Sequence, residues 1–261
     1  MAGSSGFYTD LNAAHGTSVA PLLPAAKPGG RPRTTCTRGV LDGVFCLLRT
    51  GCQWRLLPRC FPPWSTVHHY FRLWQRTGGW VRLHRAVYAQ ARLAAGRPPC
   101  PSLVIMDGQS VRTTERCGTR GFDGHKLVRG RKRHILVDTL GLPIANRVEP
   151  ANVPDQKAGA RLLGGLRAMF PAIRTVMADA GHESRKLTRH LLLHEGWKLV
   201  ITRRGQRAFK IKGLTWIVER SFAWLGRNRR FSKDYEFKLQ TSETMIDIAG
   251  IRLMLNRIAP E

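Results

Sequence analysis

The sequence predicts an α/β domain with a mixed sheet and flanking helices, preceded by a small basic helical unit. Three observations carry that expectation. Residues 37–95 set apolar side chains at helical spacing. The stretch "GRPPCPS" at 96–102 interrupts that pattern. Beyond it, buried-strand runs alternate with helical ones.

Residues 1–34 are weakly patterned, with "PLLPAAKPGGRPR" rich in Pro, Gly and basic residues, and read as an arm or linker. "RGVLDGVFCLLRTG" follows with Val40, Val44, Leu47 and Leu48 on one helical stripe, stopped by Gly51. After the Pro-broken connector "CQWRLLPRCFPPW", Ser65 is expected to N-cap a helix bearing Val67, Tyr70, Phe71 and Trp74 on one side. "WVRLHRAVYAQARLAA" continues as another helix. The first hundred residues hold only two acids, Asp10 and Asp42, so this bundle suits nucleic-acid binding, in a helix-turn-helix manner or otherwise.

After the boundary, "LVIMDGQSV" reads as a buried strand, and "RHILVDTLGLPIANRVEP" as two strands joined near "TLGLP". "DQKAGARLLGGLRAMF" is a helix with Asp155 as its expected N-cap, and "IRTVMADAG" a second core strand. A helix "ESRKLTRHLLLHEG", a strand "WKLVITRR" and helices near 215–230 and 242–258 complete the pattern.

Charge restricts the function. The 261 residues carry 43 Lys+Arg against 17 Asp+Glu, a net +26 with a pI near 11.3. Such an excess repels itself in a compact fold and calls for a polyanionic partner, DNA or RNA first. A polybasic membrane binder concentrates its charge on one amphipathic helix, whereas here it is spread along the chain. No apolar run approaches the roughly 20 residues needed to cross a bilayer. Six cysteines without a CxxC pair match no zinc module and read as reduced cytosolic thiols.

In so basic a chain each acid needs a reason. Asp107 ends the apolar run "LVIMDG" and Asp179 closes "TVMADAG", both read as strand ends beside a Gly-containing turn, where open α/β sheets place ligands. Asp next to Gly is also ordinary turn chemistry. Glu219 stands alone in the basic segment "WIVERSFAWLGRNRR", as a salt-bridge partner, a capping residue or a ligand. Two carboxylates about 4 Å apart repel by roughly 4 kcal/mol at an effective dielectric near 20. Divalent cations such as Mg²⁺ relieve that repulsion, and so can arginines. "RGRKRH", from Arg129 to His134, is either a solvated basic face or a phosphate contact. Arg220 and Arg227 share a helix face that Arg229 and Arg230 extend. Trp216, Phe222 and Trp224 read as core packing, and His182 as a phosphate contact or a structural histidine.

The residues "VIMDGQSVRTTERCGTRGFDGHKLVRGRKRHILVDTLGLPIANRVEPANVPD", "VMADAGH" and "WIVERSFAWLGRNRRFSKDYE" resemble the core motifs of bacterial insertion-sequence transposases of the DDE class, in the insertion-sequence-five group. "RGVLDGVFCLLRTGCQWRLLPRCFPPWSTVHHYFRLWQRTGGW" is similar to that group's N-terminal segment. The resemblance implies a ribonuclease-H-like catalytic core at 99–261, a helical DNA-binding domain at 35–98 and the arm at 1–34. It implies that Asp107, Asp179 and Glu219 hold divalent metal, Mg²⁺ or Mn²⁺ and two ions, with no nucleotide cofactor. It implies double-stranded DNA as partner, both element ends and target, with a homodimer on DNA by analogy, in the bacterial cytoplasm at the nucleoid. Expected DNA contacts are Lys126, Arg129, Arg131, Lys132, Arg133, His182, Arg220, Arg227, Arg229 and Arg230. The chain departs from the group at Gly108, where a small polar residue is usual, at Thr215, where an arginine is usual, and at residues 7–18, which lack the opening Trp-containing helix. The expected activity is binding of terminal inverted repeats, strand cleavage and strand transfer. The alternatives are a catalytically inactive DNA-binding descendant of such an element and a non-specific nuclease.

Overall fold

A computed structural model describes residues 7, 9–25, 29, 33–202 and 214–260. Residues 9–25, expected as an arm, are folded. Helix α1 (Ala13–Val19) starts where the Asn12 side chain accepts from the His15 amide, and Leu11, His15 and Val19 are buried. The Leu11 amide donates to Asp42, tying this segment to the next helix.

Helix α2 (Thr37–Thr50) ends at Gly51, whose φ of 71° is the left-handed cap its sequence predicts. Helix α3 (Trp64–Arg76) begins one residue before Ser65, after Pro63, so Ser65 is not its N-cap. Helix α4 (Gly79–Ala94) then packs along the long C-terminal helix α9 (Leu239–Ile258). The Gln75 amide on α3 donates to Thr244 on α9. Arg92 on α4 pairs with buried Asp138 in the sheet, to which Tyr88 also donates. One hydrophobic core runs from Leu11 to Leu255 through these helices and the sheet. Segment 96–102 therefore connects elements that share a core rather than separating two cores.

The sheet follows. Strands β1 (Leu103–Arg112), β2 (Gly121–Asp123), β3 (Val128–Asp138) and β4 (Pro143–Pro150) come first. Helices α5 (Asp155–Leu163) and α6 (Leu166–Met169) intervene before β5 (Thr175–Asp179), helix α7 (Arg185–His190) and β6 (Lys198–Thr202). β3 pairs antiparallel with both β1 and β4, while β1–β5 and β5–β6 are parallel. This is the mixed sheet expected, and its order and polarity agree with a ribonuclease-H-like core. Pro154, not Asp155, is the cap position of α5, and Asp155 lies in the first turn. The helix expected near 215–230 ends earlier: α8 (Thr215–Gly226) gives way to a single tight turn at Arg229–Phe231. The last two residues of "WKLVITRR" lie outside the described residues.

Side-chain alternation sorts the sheet into two faces. Ile105, Asp107, Gln109 and Val111 share a face with Arg131, Arg133 and Ile135 of β3, following the pairing of Asp107 with Ile135. Helix α8 covers this face, burying Ile217, Val218, Ser221, Phe222 and Leu225 against it. Met106 and Gly108 point to the other face, towards His134 and α5.

Candidate active site

Asp107 lies in the middle of β1, not at its end as the apolar run suggested, because Gly108 to Arg112 continue the pairing with β3. The last β1–β5 pair is Met106 with Ala178, so the next step sets Asp107 beside Asp179 at the tip of β5, both on the α8 face. Burial first, and then the neighbouring charge of Asp179, push the Asp107 carboxyl up to about 6, against the amide of Gly108, which donates to it at 2.6 Å. Asp179 moves the other way. His182 Nδ1 lies 2.7 Å from its Oδ1 and holds it below the usual carboxylate range. Of the pair, Asp179 therefore keeps its charge to the lower pH, and Asp107 is the first to take a proton.

Lys126 completes this corner. Its Nζ donates to the Gly108 carbonyl at 3.3 Å, and its charge lowers both aspartates. His182 itself is buried, packed against Gly159 of α5, and faces His134 with ring centroids 6.1 Å apart. Burial depresses the His134 pKa, and both its ring nitrogens lack a partner. A further acid, Asp155 at the start of α5, approaches this corner. A β-carbon at Gly181 would lie 3.1 Å from Asp155 Oδ2 and 3.3 Å from Asp179 Oδ1. Asp155 is engaged by Lys132 at 3.0 Å, which also reaches Asp123 at 3.8 Å.

Glu219 is exposed on α8. At 100° per residue it sits on the same flank as Phe222 and Gly226, while Arg220 occupies the opposite flank. Phe222 and Gly226 line a cleft of about 530 Å³ with Gln109 and Ser110, the residues just beyond Asp107. Glu219 thus belongs to the flank turned towards that end of β1. It does not join the aspartates directly: among the described residues no three His, Cys, Asp or Glu side chains are grouped to hold a metal ion.

The basic residues divide sharply. Arg131 is fully buried, paired with Asp234 at 3.2 Å and donating to the carbonyls of Thr119, Glu236 and Phe237. Arg133 is buried and donates to the carbonyls of Phe231 and Lys233. Arg230 is buried against Glu236 at 2.7 Å. These three were expected as DNA contacts; instead Arg131 and Arg133 anchor the segment between α8 and α9 to the sheet, and Arg230 ties that segment to itself and to the Cys52 carbonyl. His182 is likewise inside, and Lys132 is held between two carboxylates. Lys126, Arg129, Arg227 and Arg229 are exposed. Trp216, expected in the core, is 42% exposed and stacks on Arg220, as half-buried Trp224 does from the other side.

Two aspartates side by side on parallel strands of a mixed sheet define an acidic α/β site suited to phosphodiester chemistry through divalent ions. Comparison with known proteins narrows this. Residues 98–254 match the family "Transposase DDE domain", and residues 14–84 match "Putative transposase of IS4/5 family". The chain belongs to the DDE transposases, in the IS4/IS5-like group. It is 38% identical over 86 residues to "Insertion element IS402 uncharacterized 16.2 kDa protein" of Burkholderia cepacia, covering 30% of this chain and 57% of that one. It is 32% identical over 114 residues to "Putative transposase for insertion sequence element IS402" of the same organism, covering 41% of this chain and 54% of that one. The chain thus spans little more than half the length of these relatives. Among the described residues no helix is long and apolar enough to cross a membrane.

Domains of this family generally use divalent metal ions. The aspartate pair fits such an ion. Both ligands are hard oxygen donors, and a buried carboxylate destabilised by its neighbour regains its charge when a cation arrives.

Proposed function

We propose that this chain is a DNA transposase that binds the terminal inverted repeats of its element, cuts a strand there and joins the freed end to target DNA. The observation that carries the reading is the abutting pair Asp107 and Asp179 on the face covered by α8, within a chain of net charge +26. Asp107 and Asp179 would hold Mg²⁺ or Mn²⁺, with two ions the arrangement suited to an in-line displacement at phosphorus. What the ions supply when bound is activation of the attacking oxygen and charge stabilisation at the leaving one.

The chain's own groups prepare that site. His182 orients Asp179 and keeps it ionised, and burial of Asp107 makes its carboxylate dependent on a nearby cation. Lys126, exposed beside the pair, is placed to take phosphate, and exposed Arg129 farther along β3 extends the basic surface. Glu219 is the third ligand in this reading, brought to the aspartates from its flank of α8 when DNA and metal are bound. The helices at 35–98 and the exposed arginines of 227–229 hold duplex DNA, and a homodimer would join two ends. The site of action is the bacterial cytoplasm, at the nucleoid.

A second reading has its own support. Glu219 stands apart from the aspartates, and Thr215 replaces an expected arginine, as in an element-derived DNA-binding protein that has lost chemistry. Incubation with a duplex carrying the element end, in Mg²⁺ or Mn²⁺, separates them. End-dependent nicking followed by joined products supports the transposase. Binding without cleavage supports the inactive relative, and cleavage indifferent to end sequence indicates a nuclease.

A further inference from the structure

The flank of α8 opposite Glu219 carries a second basic feature that the acidic pair does not use. The Arg220 guanidinium lies between two indoles, 4.5 Å from the Trp216 ring and 4.6 Å from that of Trp224. Arg257 of α9 covers Trp224 as well, at 4.7 Å. Two guanidiniums at one indole are like charges at short range. Burial first, and then Arg257, draw the Arg220 pKa down. Indole faces fix both side chains, and among the described residues neither has a carboxylate partner.

Beside this stack, a cleft of about 260 Å³ opens between α2, α8 and α9. Arg49, Arg227, Arg252 and Arg257 line it, over a floor that includes Phe45 and Leu48, and no acidic side chain is among its described lining residues. Arg49 donates to the Arg227 carbonyl at 2.7 Å, which pins it to the end of α8. Arg252 lies over Phe45 and its charge also reaches Asp42. Rings lie against Arg252 and Arg257, a backbone carbonyl accepts from Arg49, and these cations line an open cleft with exposed Arg227.

We propose that this cleft binds the phosphate backbone of duplex DNA, as a contact separate from the Asp107–Asp179 site and on the other flank of α8. Guanidiniums bind phosphate bidentately, and arginines fixed by stacking lose less side-chain freedom on doing so. Their spread over three helices suits a run of phosphates better than one small anion. The inference rests on the reading that the chain acts on DNA.

The test measures duplex binding by fluorescence anisotropy over a range of KCl in the absence of divalent ions, where the duplex stays intact. Each phosphate contact contributes about 0.9 to the log–log salt slope. Arg227→Ala/Arg257→Ala should reduce the slope by about 2 and weaken binding uniformly across sequences. Arg227→Lys/Arg257→Lys keeps the charges and should keep the slope. Arg174→Ala/Arg189→Ala removes two exposed arginines elsewhere and should leave it unchanged. An alanine pair at 227 and 257 that behaves like the 174/189 control overturns the proposal, as does a lysine pair that loses slope equally. If the unmodified chain binds no duplex at any salt, the DNA reading itself fails.

Discussion

Gly108 and His134 face one another across β1 and β3, and a β-carbon at 108 would lie 2.8 Å from His134 Nδ1 and 2.9 Å from Cε1. His134 is fully buried beside His182, so its ring has little room to retreat. His134 thus takes the space that a side chain at 108 would need. Gly108→Ala should cost about 1–3 kcal/mol through overpacking next to Asp107. In a His134→Ala background the same change should cost much less. Denaturant unfolding of the four chains checks this, and additive costs would show that the two positions do not share the space.

Asp107 is held against its own charge in the absence of metal. Its folded pKa, about 6, lies above the ordinary aspartate value of 3.8, so the folded state binds the proton more tightly. The sign follows. The metal-free chain loses stability as pH rises from about 4 through 6, and the loss is complete above that window. Asp107→Asn should therefore stabilise the metal-free chain at pH 8, by about 2 kcal/mol, with little effect at pH 4. Melting temperatures with chelator at the two pH values test this. A variant less stable than the parent at pH 8 would contradict it.

Arg131 is a structural cation, not a DNA contact. It is fully buried and bonds to Asp234, Ser242 and three carbonyls, so Arg131→Ala leaves Asp234 charged inside the fold. The expected cost is about 3–5 kcal/mol of stability. Arg129→Ala, two residues earlier on β3 and exposed, should leave stability within about 0.5 kcal/mol while lowering duplex affinity. Chemical denaturation and salt-dependent binding of both variants separate the roles.

The contrast between Arg129 and Arg131 also shows how much the sequence discloses. The strand runs, the mixed sheet and the end of α2 at Gly51 were readable, because apolar runs and left-handed glycine caps are local signals. The motif "RGRKRHILVD" held more than its charge suggested. A two-residue period puts Arg131 and Arg133 on the face of Ile135 and Val137, and Lys132 and His134 on the other. Alternation does not settle burial by itself, because Arg129 has the same parity and is exposed beyond the end of the β1 pairing, while His134 on the other face is fully buried. Other features carried no local signal. The contact of Gly108 with His134 depends on register between strands, and the approach of Asp155 to Asp179 on how α5 returns to the sheet. Residues 9–25 are tied to the fold by the Leu11–Asp42 bond and by Leu11 and Val19 in the core, contacts distant in sequence. Trp216 looked like core because indoles usually are, but its partner is a cation on the same helix one turn away.

The central claim is that Asp107 and Asp179 share a divalent ion and that Glu219 completes its protein ligands when DNA is bound. The most direct measurement is the anomalous signal of Mn²⁺ in crystals of the chain with a duplex carrying the element end. A peak within about 2.0–2.5 Å of oxygens from both aspartates and from Glu219 is the predicted result. A peak elsewhere, or one that persists unchanged in Asp107→Asn, would contradict it.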